Sequence, residues 1–170
     1  HKNYKFLDSM CFKSKNLYNS ALYIIKQEFI NNGRWIRYNE LNKILKETNQ
    51  FDYRAITNNS AQQILMLLDS NLKSYFQSIK SWKRDNKKFL GCPQFPKYKN
   101  KETGRNIFVY TYVQLGYKYN HITFPKLECL LPLKTKIPKE QIKQVRIIPQ
   151  TSCYIIEVIY ETQEVIKETK

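Results

Sequence analysis

The apolar positions of this chain change period near residue 90. Before it, Leu7, Met10, Cys11, Leu17, Tyr18, Ala21, Ile25 and Phe29 recur at steps of three and four, the spacing of one face of an α-helix. Gly33 stands where a left-handed C-terminal cap would end that helix. Tyr38, Leu41, Ile44 and Leu45 predict a short second helix, and residues 48–59 (TNQFDYRAITNN) read as a loop. Asn59 or Ser60 offers an N-cap for a third helix, with Ile64, Leu68, Leu72, Tyr75, Ile79 and Trp82 on its buried stripe.

After residue 90 the pattern is that of strands. Pro93, Pro96, Gly91 and Gly104 mark irregular chain. Ile107, Val109, Thr111, Val113 and Leu115 then alternate with Phe108, Tyr110, Tyr112 and Gln114. A strand through this segment puts Tyr110 and Tyr112 on one face, both in or both out. Residues 145–148 and 154–160 predict further strands, the latter rich in β-branched side chains. The fold class expected is α+β: a helical bundle over residues 1–89, then a small antiparallel β-barrel over 90–165. The polar run 166–170 reads as a linker.

Charge changes this picture from a fold to a partner. The 170 residues carry 29 Lys and Arg against 14 Asp and Glu, a net charge of +15. Self-repulsion makes such an excess mildly destabilising, so a polyanionic partner is its natural explanation. Between Lys73 and Lys126 there are 12 basic residues and two acids, Asp85 and Glu102, which is +10 of the +15. A solvated lysine-rich surface is the plainer reading. Against it, the cations are interleaved with aromatics: Tyr98, Tyr110, Tyr112, Tyr117 and Tyr119 lie among Lys97, Lys99, Lys101, Arg105 and Lys118. Rings that stack on bases beside cations that meet phosphates are what RNA and single-stranded DNA require. The third helix adds a cationic stripe, Lys73, Gln77, Lys80, Arg84 and Lys87, opposite its apolar one. An anionic membrane is the other polyanion. No segment approaches the ~18 apolar residues of a spanning helix, and no signal-peptide pattern opens the chain.

Chemistry is harder to find. The only histidines are His1 and His121, which leaves little from which to build a Ser-His or Cys-His pair. Four glycines supply no phosphate-cradling loop. Cys11, Cys92, Cys129 and Cys153 include no CxxC pair, the spacing of structural zinc ligands, and read as buried reduced thiols. The acids are scattered. Glu157 and Glu161, four apart, would share a strand face as an exposed rim rather than a two-carboxylate metal site. No catalytic residue, metal ligand or cofactor is assigned to the chain.

One stretch carries a resemblance. Leu90-Gly-Cys-Pro-Gln-Phe-Pro-Lys-Tyr-Lys99, followed by Gly104-Arg105-Asn106-Ile107, resembles the G-x-P-x-F-x-x-[KY]-K segment of transposon-encoded TnpB (OrfB) proteins. Leu17-Tyr18-Asn19, Ser60-Ala61-Gln62-Gln63, Leu72-Lys73-Ser74-Tyr75-Phe76, Ile122-Thr123-Phe124-Pro125-Lys126 and Val145-Arg146-Ile147-Ile148 resemble further family segments, in order, over residues 4 to about 161.

The resemblance implies a helical recognition module joined to a wedge barrel. It places the first barrel strand before His1 and a RuvC-like nuclease domain after Lys170. The expected role is the nucleic-acid-binding front part of an RNA-guided DNA endonuclease of an insertion sequence, related to type V CRISPR effectors. In that role the guide reads sequence by base pairing, and the protein reads shape, phosphates and a short target-adjacent motif. The expected partners are guide RNA and double-stranded target DNA, met by a monomer in the prokaryotic cytoplasm, at the nucleoid. The chain itself would cut nothing, and the divalent metal (Mg²⁺) would belong to the nuclease domain.

The nucleic-acid-binding residues expected are Lys73, Lys80, Arg84, Lys97, Tyr98, Lys99, Arg105 and Lys118. The positions matching the family's motif contacts are Tyr38, Gln62, Thr111 and Tyr112. Gln62 could read an adenine edge and Thr111 a thymine methyl. Many relatives have Thr-Asn where this chain has Thr111-Tyr112, so the recognised motif stays open. Two other readings stand beside this one: part of a nuclease-dead RNA-guided repressor, and a self-contained helix-turn-helix DNA-binding protein built on residues 34–46.

Overall fold

The computed structural model describes residues 3–125 and 130–162. Four helices come first: α1 (Tyr4–Asn32), α2 (Tyr38–Glu47), α3 (Phe51–Arg54) and α4 (Asn58–Arg84). Six strands follow: β1 (Phe108–Thr111), β2 (Gly116–Lys118), β3 (His121–Thr123), β4 (Leu133–Lys134), β5 (Ile142–Pro149) and β6 (Tyr154–Tyr160). They form two antiparallel three-stranded sheets, ordered β1-β5-β6 and β2-β3-β4. The class is α+β. Among the described residues neither sheet closes into a barrel. The expected linker, 166–170, lies outside the described residues.

α1 forms as its stripe predicts. Leu7, Met10, Cys11, Leu17, Tyr18, Ala21, Leu22 and Ile25 are buried along one face. Gly33 ends the helix at φ 64°, its N–H returning to the Phe29 carbonyl; a side chain would strain this left-handed position. Phe29 itself is exposed at its edge, with its ring against Phe76 and Phe95.

The segment read as a loop contains α3. Gln50 caps it, its Oε1 accepting from the Tyr53 N–H at 2.7 Å. The turn exists to bury Tyr53, whose hydroxyl donates to Asn42 at 2.8 Å. α4 begins earlier than expected, with Thr57 rather than Asn59 or Ser60 at its N-cap. Ser60 is buried inside the first turn, and its hydroxyl donates to the Val109 carbonyl at 2.8 Å, tying α4 to β1. Beyond Leu72 the stripe thins: Tyr75, Ile79 and Trp82 are half-buried.

The strand at 107–115 is cut short. β1 stops at Thr111, and residues 112–114 form a single 3-10 turn. Gln114 is the cause. Its Oε1 accepts from the Thr111 N–H at 3.0 Å, while its Nε2 reaches back to Thr57 Oγ1 at 2.7 Å. The expected pairing of Tyr110 with Tyr112 fails for that reason: Tyr110 is fully buried and Tyr112 is 64% exposed. β5 and β6 pair in register from Val145↔Val158 to Pro149↔Tyr154, and β6 has the bounds read from the sequence. Glu161 lies past its end, ion-paired to Lys143 at 2.9 Å, so it does not share a strand face with Glu157. Helices and sheets share one buried cluster, running from Leu7 and Leu65 to Phe108, Tyr110 and Ile147.

Candidate nucleic-acid interface

Residues 95–107 contain no helix or strand, yet they are held along the whole of α1 as an antiparallel strap. Each attachment uses a named group. Phe95 packs edge-on to Tyr75 and tilted to Phe29, near the C-terminal end of α1. Tyr18 Oη donates to the Lys97 carbonyl at 3.4 Å. Asn19 grips Lys99 from both sides: Nδ2 donates to its carbonyl and Oδ1 accepts from its N–H, each at 2.9 Å. Lys15 Nζ donates to the Lys101 carbonyl. The Asn106 N–H donates to the Cys11 carbonyl, and Ser14 Oγ donates to that of Ile107 at 2.6 Å.

The strap turns at Asn100–Gly104, where Asn100 Oδ1 accepts from the N–H groups of Glu102 and Thr103. A Cβ on Gly104 would collide with the Asn100 backbone, which explains that glycine. Side chains of α1 thus bond four strap carbonyls and the Lys99 N–H, and Asn100 bonds the turn, which gives this irregular segment partners for much of its backbone.

Arg105 is the strongest of these anchors. Its Nε and Nη2 donate to the two oxygens of Asp8 at 2.7 and 2.9 Å, and the Tyr154 hydroxyl donates to Asp8 Oδ1 at 2.6 Å. Arg105 holds the Asp8 carboxyl below the usual carboxylate range, with Tyr154 adding to the effect. The same cluster, through burial first and then Asp8, pushes the Tyr154 hydroxyl up. Arg105 is thus committed to an internal pair rather than presented to solvent. Lys15 is likewise internal, 1% exposed and 3.8 Å over the Phe12 ring; burial and then the Arg105 charge hold its pKa down.

The other expected cations fall into three places. Lys73, Lys80 and Arg84 are exposed on one flank of α4, and among the described residues none has an acidic partner. Steps of seven and four residues at 100° each keep them within about 40° of one another, spread over roughly 16 Å of helix. Lys97 and Tyr98 are exposed on the strap. Lys99 is half-buried, 5.4 Å from the Tyr18 ring, and burial lowers its pKa. Lys118 sits on the β2–β3 hairpin over the exposed Tyr119, 5.0 Å from its centroid. The aromatic contacts of Phe95 bring the start of the strap to the second half of α4.

The four motif positions divide. Tyr38 and Gln62 both stand near the Tyr53 hydroxyl: its pKa is raised, by burial first, with Gln62 acting against the rise and Tyr38 adding to it. About two turns along the same flank of α4, Asp69 pairs with Arg37 at 2.9 and 3.0 Å and accepts from the Tyr38 N–H. Thr111 lies on the other side. It is bound through Gln114 to Ser60 and Thr57, and Ser60 stands two residues, about 200° of helix rotation, from Gln62. Tyr38 and Gln62 thus share the neighbourhood of Tyr53, while Thr111 and Tyr112 lie toward the opposite flank of α4.

Gln62, Lys73, Lys80 and Arg84 share one flank, so α4 presents amide and cations in a single row, interrupted by Asp69, which is paired to Arg37. Sequence patterning did not single out Arg37, Tyr23, Lys26 or Phe51. Arg37 lies 4.3 Å over the Trp35 ring and is exposed. Tyr23 and Phe51 are off the buried stripes and exposed, which is the one signal that marks them.

Of the thiols, Cys11 is buried as expected, while Cys92 and Cys153 are exposed; Cys129 lies outside the described residues. His121 opens β3 and donates from Nδ1 to the Tyr119 carbonyl at 2.7 Å, a structural role. Among the described residues no group of three or more His, Cys, Asp or Glu side chains could hold a metal ion, and no helix is long and apolar enough to cross a membrane. No protein-family model matches the sequence, and no curated protein matches it significantly.

Proposed function

We propose that this chain is the nucleic-acid-binding part of a TnpB-like RNA-guided DNA endonuclease. In this reading the α4 row and the strap hold guide RNA paired with target DNA. The end of α4 near Tyr38 and Gln62 meets the target-adjacent motif, with Thr111 and Tyr112 approaching it from the sheet side. The partners are a guide RNA and duplex target DNA at a prokaryotic nucleoid. Residues 1–89 act as the recognition module and 90–165 as the wedge-like one. Cleavage falls to a separate Mg²⁺-dependent nuclease domain of the same parent protein.

One observation supports this most: Lys73, Lys80 and Arg84 are aligned on an exposed helix flank and, among the described residues, none of them is ion-paired. Cations so placed neutralise phosphates and release counterions, which supplies affinity independent of sequence. Lys97, exposed on the strap beside them, adds a further cation, and Gln62 adds an amide of the kind that reads adenine.

The test is a binding and cleavage assay on the purified chain with an RNA–DNA heteroduplex, with duplex DNA, and with Mg²⁺ present. The expected result is binding without cleavage. Substitution of Lys80 should weaken binding to all sequences alike, while Gln62→Ala should change which flanking motif is preferred. Cleavage by the chain alone, or Gln62→Ala behaving like the lysine change, would contradict these roles. Tight binding to one duplex DNA sequence without RNA would instead support the helix-turn-helix reading.

A further inference from the structure

The outward face of α1 carries a second surface, apart from the α4 row. Tyr23 is 56% exposed and Tyr98 is 45% exposed. Lys26, three residues after Tyr23 on the same face, stands with Nζ 4.2 Å from the Tyr98 centroid. Asn19, one turn before Tyr23, is the residue that grips Lys99, so Tyr98 is fixed next to Tyr23 by bonds to its neighbour's backbone. The two rings are close enough that Tyr23, after burial, raises the Tyr98 pKa.

Beyond Tyr23 opens a cleft of about 440 Å³, lined by Asn19, Ser20, Tyr23, Ile24 and Gln50. Phe51, next in the chain to Gln50, is also exposed. Bonded to two of the lining residues is the half-buried Asp52, whose Oδ2 accepts from Ser20 Oγ at 2.6 Å and from Gln50 Nε2 at 3.0 Å.

Charge selects a polyanion for this surface. Lys26, Lys97, Lys99 and Lys101 belong to α1 and the strap. Of the acids in those two segments, Asp8 and Glu28 are ion-paired to Arg105 and Arg34, leaving Glu102 at the turn. Exposed rings select an unpaired strand, because a base offers its face for stacking only when it is out of a duplex. Asp52 selects the sugar. A carboxylate repels phosphate but accepts from a hydroxyl, and the 2′-hydroxyl is the donor that RNA has and DNA lacks.

We propose that this surface binds an unpaired stretch of RNA, with bases stacked on Tyr23 and Tyr98, phosphates on Lys26 and Lys97, and a 2′-hydroxyl donating to Asp52. The inference rests on the nucleic-acid-binding reading above and adds a single-stranded RNA site to it.

The experiment is fluorescence anisotropy of the full chain with a labelled unstructured RNA, the same sequence as single-stranded DNA, and an RNA–DNA heteroduplex. RNA should bind more tightly than the DNA strand. Tyr23→Ala and Tyr98→Ala should each weaken the RNA by at least about fivefold, the low end of a lost base stack. Heteroduplex binding should be unchanged in Tyr23→Ala, because Tyr23 belongs to neither the α4 row nor the strap. Tyr23→Phe and Tyr98→Phe, which keep the rings, should retain RNA binding and so separate stacking from any change in fold. Asp52→Asn should narrow the preference of RNA over DNA. Heteroduplex binding with no effect of the tyrosine changes on the RNA, or equal binding of RNA and DNA strands, would overturn this inference alone. Absence of all binding by the unaltered chain would overturn the proposed function with it.

Discussion

Asp8→Asn tests whether the strap is locked or merely laid on α1. The substitution keeps the shape of the side chain and removes its charge. Three bonds converge on that carboxylate: two from Arg105 at 2.7 and 2.9 Å, and one from Tyr154 at 2.6 Å. They join residues 97 and 146 positions apart, linking α1, the strap and β6. Hydrogen bonds to charged groups each contribute about 1.5–3 kcal/mol, and removing one partner of a fully buried pair costs about 3–5 kcal/mol. Asp8 and Arg105 keep 31% and 22% of their side-chain surface in solvent, so water screens part of this. An amide also keeps one acceptor for one of the three donors. The expected loss is about 2 kcal/mol, which for a domain of this size lowers Tm by roughly 4–8 °C.

The pH dependence carries a definite sign. The folded-state pKa of Asp8 is lowered, so its contribution is complete above the unfolded value of about 4 and is lost as pH falls through the depressed folded value. Urea denaturation of both proteins from neutral to acid pH should therefore show a constant gap above about pH 5 that closes below about pH 4. A gap under about 0.5 kcal/mol at neutral pH, or one that does not close in acid, would refute the lock.

Other outcomes follow from single groups. Asn19→Ala removes both bonds to the Lys99 backbone; it should speed hydrogen exchange of the strap amides near Lys99 and cost about 1–3 kcal/mol, read by denaturation. Burial pushes the Cys11 thiol up to about 12, so at pH 8 an alkylating reagent should modify Cys92 and Cys153 in the native protein and reach Cys11 only on unfolding, as mapped by mass spectrometry. Gln114→Ala strips the Thr111 cap and the link to Thr57; a loss of about 1–2 kcal/mol is expected, with the change in amide exchange centred on β1. Arg105→Glu should unfold the strap instead of simply weakening nucleic-acid binding, because it sets two carboxylates against each other at Asp8.

What the sequence made legible is what depends on periodicity alone. The stripe of α1, its Gly33 cap and the bounds of β6 follow from local spacing. The cationic row on α4 follows too, since helix geometry fixes which residues share a flank once the helix is known. What escaped depends on partners far along the chain. Arg105 reads as one more cation until Asp8, 97 residues earlier, is beside it. Residues 51–54 lack any helical repeat and form a turn because Tyr53 is buried. The end of β1 at Thr111 is set by Gln114 bonding across to α4, a contact that alternation does not encode. The platform of Tyr23 and Tyr98 exists because Tyr18 and Asn19 hold the strap against α1 on either side of Tyr98.

The central claim is that aligned, unneutralised cations on α4 bind phosphates, and the most direct measurement is the salt dependence of binding. The affinity for an RNA–DNA heteroduplex would be followed against salt concentration for the unaltered chain and for Lys73→Glu/Lys80→Glu/Arg84→Glu. The account predicts a linear fall of log K with log salt, with a slope smaller by about 0.9 for each phosphate contact removed in the variant. Equal slopes for the two proteins, or no binding by the unaltered chain at low salt, would contradict it.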